Sequence, residues 1–383
     1  MSAYDVAIVG GGIIGGSIAF ELAREKLRVV LLDRQQPGLE ASWAAAGMLS
    51  PGPETHDAVP LVPLAKESLR LYPEFIAAIE DASGKSTAFV REGTLEIFPG
   101  PDGESQREKM AAEYRRFDLP MERISFEAAR KLEPALGPAA RVAAWLPEEA
   151  VVDPRWLTES VIAAGRSRGV EIRHNTAVTS VLHDGTRCRG VVAGNQEIAA
   201  NRVVLAAGAY SAGIKGMAAY APTRPIRGQI LALRSNDLRL SRVLRSERGY
   251  LVPRRDGRII AGSTLEDAGF AKHVTPAGIR HVLDAALELV PGLASAEIIE
   301  TWAGLRPGTP DTLPILGPTD IEGVFIATGH YRNGILLTPV TAKLLCEWIL
   351  GSRTSFDASA FSPLRFRTQS AHTQSAKGAS TRP

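Results

Sequence analysis

Residues 5–34 read DVAIVGGGIIGGSIAFELAREKLRVVLLDR. Val6 to Val9 is an apolar run of strand type, and the turn after it carries Gly10, Gly12 and Gly15 in the spacing G-x-G-x-x-G. A helix rich in alanine and leucine follows, then a second apolar run, Val29 to Leu32, ending at Asp33. Strand, turn, helix and strand in this order make a mononucleotide-binding half. Gly10 permits the tight turn, Gly12 lets the backbone approach a pyrophosphate, and Gly15 lets helix and strand pack closely. The helix N-terminus offers N–H groups and partial positive charge to phosphates. Asp33 is placed to accept hydrogen bonds from both ribose hydroxyls, which argues against a 2′-phosphate and so against NADP. It does not separate FAD from NAD.

The totals bound the class. The chain has 383 residues, 45% hydrophobic and 22% charged, with a net charge of +2. This suits a soluble globular protein of two domains with ample core, and it points to neither nucleic acid nor an anionic membrane surface. The two cysteines, Cys188 and Cys346, form no metal spacing and no disulfide framework. A strand begins almost at residue 1, without a basic leader, and no apolar run has the length of a membrane span, so a cytoplasmic location is expected.

Further along, Ser42 to Ala46 reads as a short helix stopped by Gly47, in a small-residue loop on which a flat ring system could lie. Val62 to Ile79 reads as helix interrupted by Pro63 and Pro73, and Phe89 to Phe98 as a hairpin about Glu92-Gly93. Helices are expected over residues 104–117, over 125–132 with Ser125 as N-cap, over 154–168 with Asp153 as N-cap, and over 275–290. Residues 176–182 and 187–192 alternate as a hairpin around Asp184-Gly185. Strands are expected at 142–146, 170–172, 202–207, 225–233, 250–253, 258–263, 298–302 and 324–327, and a last helix from Ile335 to Leu350. The polar stretch 363–383 carries no pattern and is expected to be disordered. The nucleotide domain is then discontinuous, built from 1–80, 151–215 and 302–355. Residues 81–150 and 216–301 make a second, substrate-binding α+β domain on an antiparallel or mixed sheet.

With both ends in view, the chain resembles the D-amino-acid-oxidase-like flavoproteins, and within them the glycine oxidases of the thiamine pathway. The motifs are VAIVGGGIIGGSIAFELA, AAAGMLSP, YLVPRRDGRIIAGST, WAGLRPGTPDTLPILG and ATGHYRNGILLTP, spread over residues 4–355. The resemblance implies an α/β fold with a Rossmann-like FAD domain of the glutathione-reductase type. It places Ile13 and Ile14 beside the pyrophosphate, Asp33 and Arg34 at the ribose, and Ala41, Ser42, Ala46, Gly47 and Met48 along the ribityl chain and flavin. Val178 matches an adenine contact, and Gly208, which follows a strand of the same domain, is expected among the cofactor-binding residues. His330, Tyr331, Arg332, Asn333, Gly334, Ile335 and Leu336 match the loop at the pyrimidine end of the flavin. There, loop N–H groups and a helix dipole can face the negative charge of the reduced ring.

The resemblance also implies that Arg306 pairs with a substrate carboxylate through its planar guanidinium, with Arg332 and Tyr250 as further substrate contacts. Met48 and Leu265 would restrict the space near the substrate α-carbon. No catalytic triad, metal cluster or carboxylate pair stands out, and amine oxidation by a flavin needs an aligned, neutral amine rather than a protein base. No cysteine lies near Gly304-Leu305-Arg306, so FAD is expected to be noncovalent. The expected activity is oxidation of glycine, sarcosine or small D-amino acids, with hydrogen peroxide formed from oxygen and the imine hydrolysed or passed to thiazole synthase. A homo-oligomer, commonly a tetramer, goes with the resemblance. Three rivals differ by simple readouts. A D-amino-acid dehydrogenase would form no peroxide, an NAD enzyme would show no flavin spectrum, and a non-catalytic flavin-binding module would hold a flavin that no amino acid bleaches.

Overall fold

The computed structural model describes residues 4–53 and 59–367. Two eight-stranded sheets organise them. In the first sheet, five strands run parallel in the order Val324–Thr328, Gln196–Leu205, Tyr4–Val9, Val29–Leu32 and Glu171–Arg173. Ile315–Pro318 adds antiparallel at one edge, and the hairpin Val178–His183 with Cys188–Ala193 extends from Gln196–Leu205. Val6, Ala7, Ile8 and Val9 are all buried, as a parallel strand covered on both faces requires. The helices Ile13–Arg24, Pro154–Ser167 and Thr338–Leu350 pack together with Leu61–Ser83.

In the second sheet the order is Glu297–Gly308, Arg224–Arg234, Arg258–Gly262, Gly249–Pro253, Val243–Ser246, Thr94–Ile97, Ala143–Leu146 and Glu122–Ile124. Its pairings are antiparallel except that of Val243–Ser246 with Thr94–Ile97. The helix Pro276–Leu289 covers one face through Val282, Ala285, Ala286 and Leu289. The domain division drawn at residue 302 falls inside Glu297–Gly308, which pairs along its length with Arg224–Arg234.

Several local expectations change. Leu61–Ser83 is one helix. Pro63 lies in its first turn, where no intrahelical N–H is needed, and Pro73 forfeits one bond on a helix held by buried Tyr72, Phe75 and Ile76. The hairpin about Glu92-Gly93 does not form. Gly93 turns the chain at φ +74, so Val90 bridges to Val151 while Thr94–Ile97 joins the second sheet. The disorder expected from residue 363 does not begin there. Arg365 binds Asp311 at 2.7 Å through Nε, and Phe366 is buried against the first sheet's core. Residues 368–383 of that tail lie outside the described residues. The last helix begins at Thr338, not Ile335, since 334–337 form a turn first.

Candidate active site

A cavity of about 790 Å³ runs between the two sheets. At one end lies the glycine turn. Gly10 has φ +107, and a Cβ there would stand 2.4 Å from the Ala206 carbonyl oxygen. A Cβ on Gly15 would stand 1.9 Å from the Gly10 carbonyl oxygen, so Gly15 sets how closely turn and helix meet. Gly12 is the N-cap of Ile13–Arg24 and brings no side chain over the first-turn N–H groups. The Ile13 N–H donates to Ser42 Oγ at 2.9 Å, which ties the helix start to the short helix Ala41–Ala44. Asp33 Oδ2 accepts from the Gly11 N–H at 2.7 Å and Oδ1 from the Gln35 N–H at 2.9 Å. Each oxygen keeps a second lone pair. Burial pushes this carboxyl up, against the pull of the two N–H donors. Arg34 lies 3.5 Å over the Tyr210 ring and pairs with Glu40 at 2.5 Å.

Midway, Gly47 has φ +81, and a Cβ there would meet the Val152 carbonyl oxygen at 2.1 Å. The Ala46 carbonyl accepts from Arg254 Nη2 at 2.6 Å. Trp302 Nε1 donates to the Ala44 carbonyl at 3.1 Å, and Arg155 packs over the rings of Trp43 and Trp302 while pairing with Glu300. The facing loop, 329–337, is pinned from outside. Ser68 Oγ donates to the Leu336 carbonyl at 2.6 Å and Tyr72 Oη to the Ile335 carbonyl at 2.5 Å. Within the loop, the Tyr331 N–H donates to the Pro307 carbonyl and the Asn333 N–H to that of His330, so these two are not available to a ligand as expected of the loop's N–H groups. His330 is buried beside Thr341 Oγ1 at 3.1 Å, and burial brings its imidazole down to about 3.

At the far end Arg306 projects from the edge strand Glu297–Gly308. Its Nη2 donates to Ser263 Oγ at 2.6 Å, and Nη1 to the carbonyls of Thr264 at 3.2 Å and Arg227 at 3.4 Å. A Cβ on Gly228 would stand 2.3 Å from Nη1, so that glycine lets the guanidinium lie against the neighbouring strand. Tyr250, 8% exposed, covers Gly262 in the same way and faces the cavity.

The cavity thus gathers Gly10, Gly12, Ile13, Ile14, Asp33, Arg34, Ala41, Ser42, Ala46, Gly47, Met48, Val178, Gly208, Tyr250, Arg306 and the loop from His330 to Ile335. Gly15 and Leu336 lie beneath the lining. Leu265 departs from expectation, being 63% exposed and not on the cavity wall. Reading the sequence missed Tyr210, Ser263, Glu96, Tyr114 and Arg245. Glu96 and Arg245 owe their place to strand pairing, Tyr114 to the helix Gly103–Arg116 and Tyr210 to the turn Gly208–Gly213, and no quoted motif marks these four; Ser263 sits at the end of YLVPRRDGRIIAGST. Burial pushes the Glu96 carboxyl up, partly offset by Arg245, and it raises the Tyr114 hydroxyl strongly.

The model of the DAO family, FAD dependent oxidoreductase, matches residues 5–348. The chain belongs to this family. It is 37% identical over 374 residues to a bifunctional protein ThiO/ThiG of Trichormus variabilis, covering 96% of this chain and 56% of that one. It therefore spans about half the length of that relative. It is 33% identical over 361 residues to a glycine oxidase of Pseudomonas aeruginosa, covering 94% and 98% of the two chains. The crystal structure of glycine oxidase from Geobacillus kaustophilus superposes with a TM-score of 0.88 at 32% identity, covering 94% of this chain and 98% of that one. The FAD-dependent oxidoreductase described here has room for that cofactor. One continuous cavity joins a helix N-terminus whose N-cap glycine brings no side chain, a carboxylate with spare lone pairs and a small-residue floor. No helix among the described residues is long and apolar enough to cross a membrane.

Proposed function

We propose that the chain is an FAD-dependent oxidase of glycine that also accepts sarcosine and small D-amino acids. The net reaction takes glycine, oxygen and water to glyoxylate, ammonia and hydrogen peroxide. The carrying observation is that one cavity holds both the glycine turn and, at its other end, Arg306 and Tyr250. Bound FAD supplies the two-electron acceptor and returns those electrons to oxygen.

The residues' parts follow from their chemistry. The first-turn N–H groups beyond that of Ile13, which Ser42 holds, face the pyrophosphate, and Asp33 takes the ribose hydroxyls. Arg306, its plane braced by Ser263 and two carbonyls, grips the substrate carboxylate, with Tyr250 as a second donor and Arg332 also lining the cavity. The mostly apolar cavity wall strips water from the substrate amine and so favours its neutral form. No side chain is given the role of base. FAD is held noncovalently, because neither Cys188 nor Cys346 lines the cavity. The relative named ThiO/ThiG supports a role in supplying iminoacetate to a thiazole synthase. A cytoplasmic homo-oligomer, by resemblance a tetramer, completes the reading. A peroxide assay over glycine, sarcosine, D-alanine and D-proline tests it. Peroxide from glycine is expected, and flavin reduction without peroxide would point to a dehydrogenase instead.

A further inference from the structure

Beyond Tyr250 the cavity continues along a wall that this mechanism does not use. Arg245 pairs opposite Tyr250, and Glu96 pairs opposite Arg245 on the next strand. Two strand spacings set the Cα of Glu96 roughly 10 Å from that of Tyr250. Arg245 Nε donates to Glu96 Oε2 at 2.5 Å, and Nη1 and Nη2 reach the two oxygens of Glu149 at 3.1 Å each. The hydroxyls of Ser50 and Tyr114 also donate to Glu149. Both oxygens of Glu149 are thereby engaged. Glu96 is 8% exposed and lines the cavity, yet its Oε1 accepts no hydrogen bond from any described residue. Two carboxylates share one guanidinium in a poorly screened place, and Glu96 Oε1 is open to the cavity, where a ligand that displaces water must bring a donor of its own.

We propose that Glu96 is a specificity-determining residue that receives an N–H donor, best an ammonium, on the side group of a substrate held by Arg306 and Tyr250. The inference rests on the oxidase reading and extends its substrate class to small D-amino acids with a second nitrogen a few bonds from the α-carbon. The oxidation at the α-carbon is the same. An acidic side group meets like charge at this wall, and an apolar one leaves Oε1 without a donor.

The test compares kcat/KM for D-ornithine, D-norvaline and D-glutamate, with glycine alongside, in the holoenzyme and in Glu96→Gln, which keeps the side chain's shape. The wild type should favour D-ornithine over D-norvaline by about tenfold or more and discriminate against D-glutamate. In Glu96→Gln the ornithine-to-norvaline ratio should fall to within about twofold of unity. A wild-type ratio of one or less, or a ratio that Glu96→Gln leaves unchanged, overturns the inference while glycine turnover still upholds the oxidase. Should glycine yield no peroxide, the oxidase reading fails by itself. The same ratio is then read from dissociation constants, by titrating the three amino acids against the bound flavin's absorbance. Those constants in the wild type also decide the matter should Glu96→Gln lose its flavin.

Discussion

Arg306 and Tyr250 share one wall of the cavity but differ in what they can offer a carboxylate. A guanidinium braced by Ser263 Oγ forms charge-assisted bonds to a carboxylate, whereas the Tyr250 hydroxyl adds one neutral donor. Arg306→Ala should therefore lower kcat/KM for glycine on the order of a hundredfold or more, and Tyr250→Phe by less than about tenfold. Equal losses in steady-state kinetics would show that the tyrosine takes part in proton transfer. His330 gives a separate, thermodynamic signature. Its folded-state value near 3 lies below the ordinary imidazole value of 6.5, so between these the unfolded chain binds a proton that the folded chain does not. Its contribution to stability is complete above pH 6.5 and is lost as pH falls toward 3, at up to about 1.4 kcal/mol per pH unit. Urea midpoints between pH 7 and pH 4.5 should fall more steeply in wild type than in His330→Asn. Parallel slopes would mean that the folded protein protonates His330 readily. Of these residues, Arg306 and Tyr250 were legible because they sit in distinctive motifs. Glu96 and Arg245 were not, because 149 positions separate partners that only strand pairing unites.

The first strand–turn–helix unit was legible almost whole, since its burial, glycine spacing and helix start all arise within 30 residues. Helices with local caps were equally plain. Asp153 accepts from the N–H groups of Arg155 and Trp156, Ser125 from that of Ala128, and Thr275 from that of Gly278. The edge strand Glu297–Gly308 was read only to Trp302, because GLRPG has poor strand propensity. It is held extended by pairing with Arg224–Arg234, at a sheet edge where Pro307 is tolerated. Val243–Ser246 and Ile315–Pro318 escaped notice for the same reason: partners define them more than composition does. The close approach of turn and helix at Gly15 yields a test. Gly15→Ala should cost on the order of 2–4 kcal/mol and release FAD, while Gly84→Ala, at a helix end with open space, should cost about 1 kcal/mol. Equilibrium denaturation with flavin release distinguishes them, and equal costs would refute the packing argument.

Chain ends and distant segments close the molecule. Arg365 joins Asp311 and the Leu313 carbonyl, and Phe366 fills the first sheet's core. A chain ending at Ser362 should thus be less stable than one ending at Arg367 by roughly 2–3 kcal/mol, read from thermal or urea midpoints. Identical midpoints would show that this segment adds nothing. The cavity likewise draws on both sheets, and in the proposed oxidase its two ends serve one reaction. Anaerobic addition of glycine to the purified yellow holoenzyme should bleach the flavin, and admission of air should restore the colour with one peroxide formed per glycine consumed. Protein that stays colourless with added FAD, or a bound flavin that glycine, sarcosine and D-alanine all leave oxidised, would contradict it.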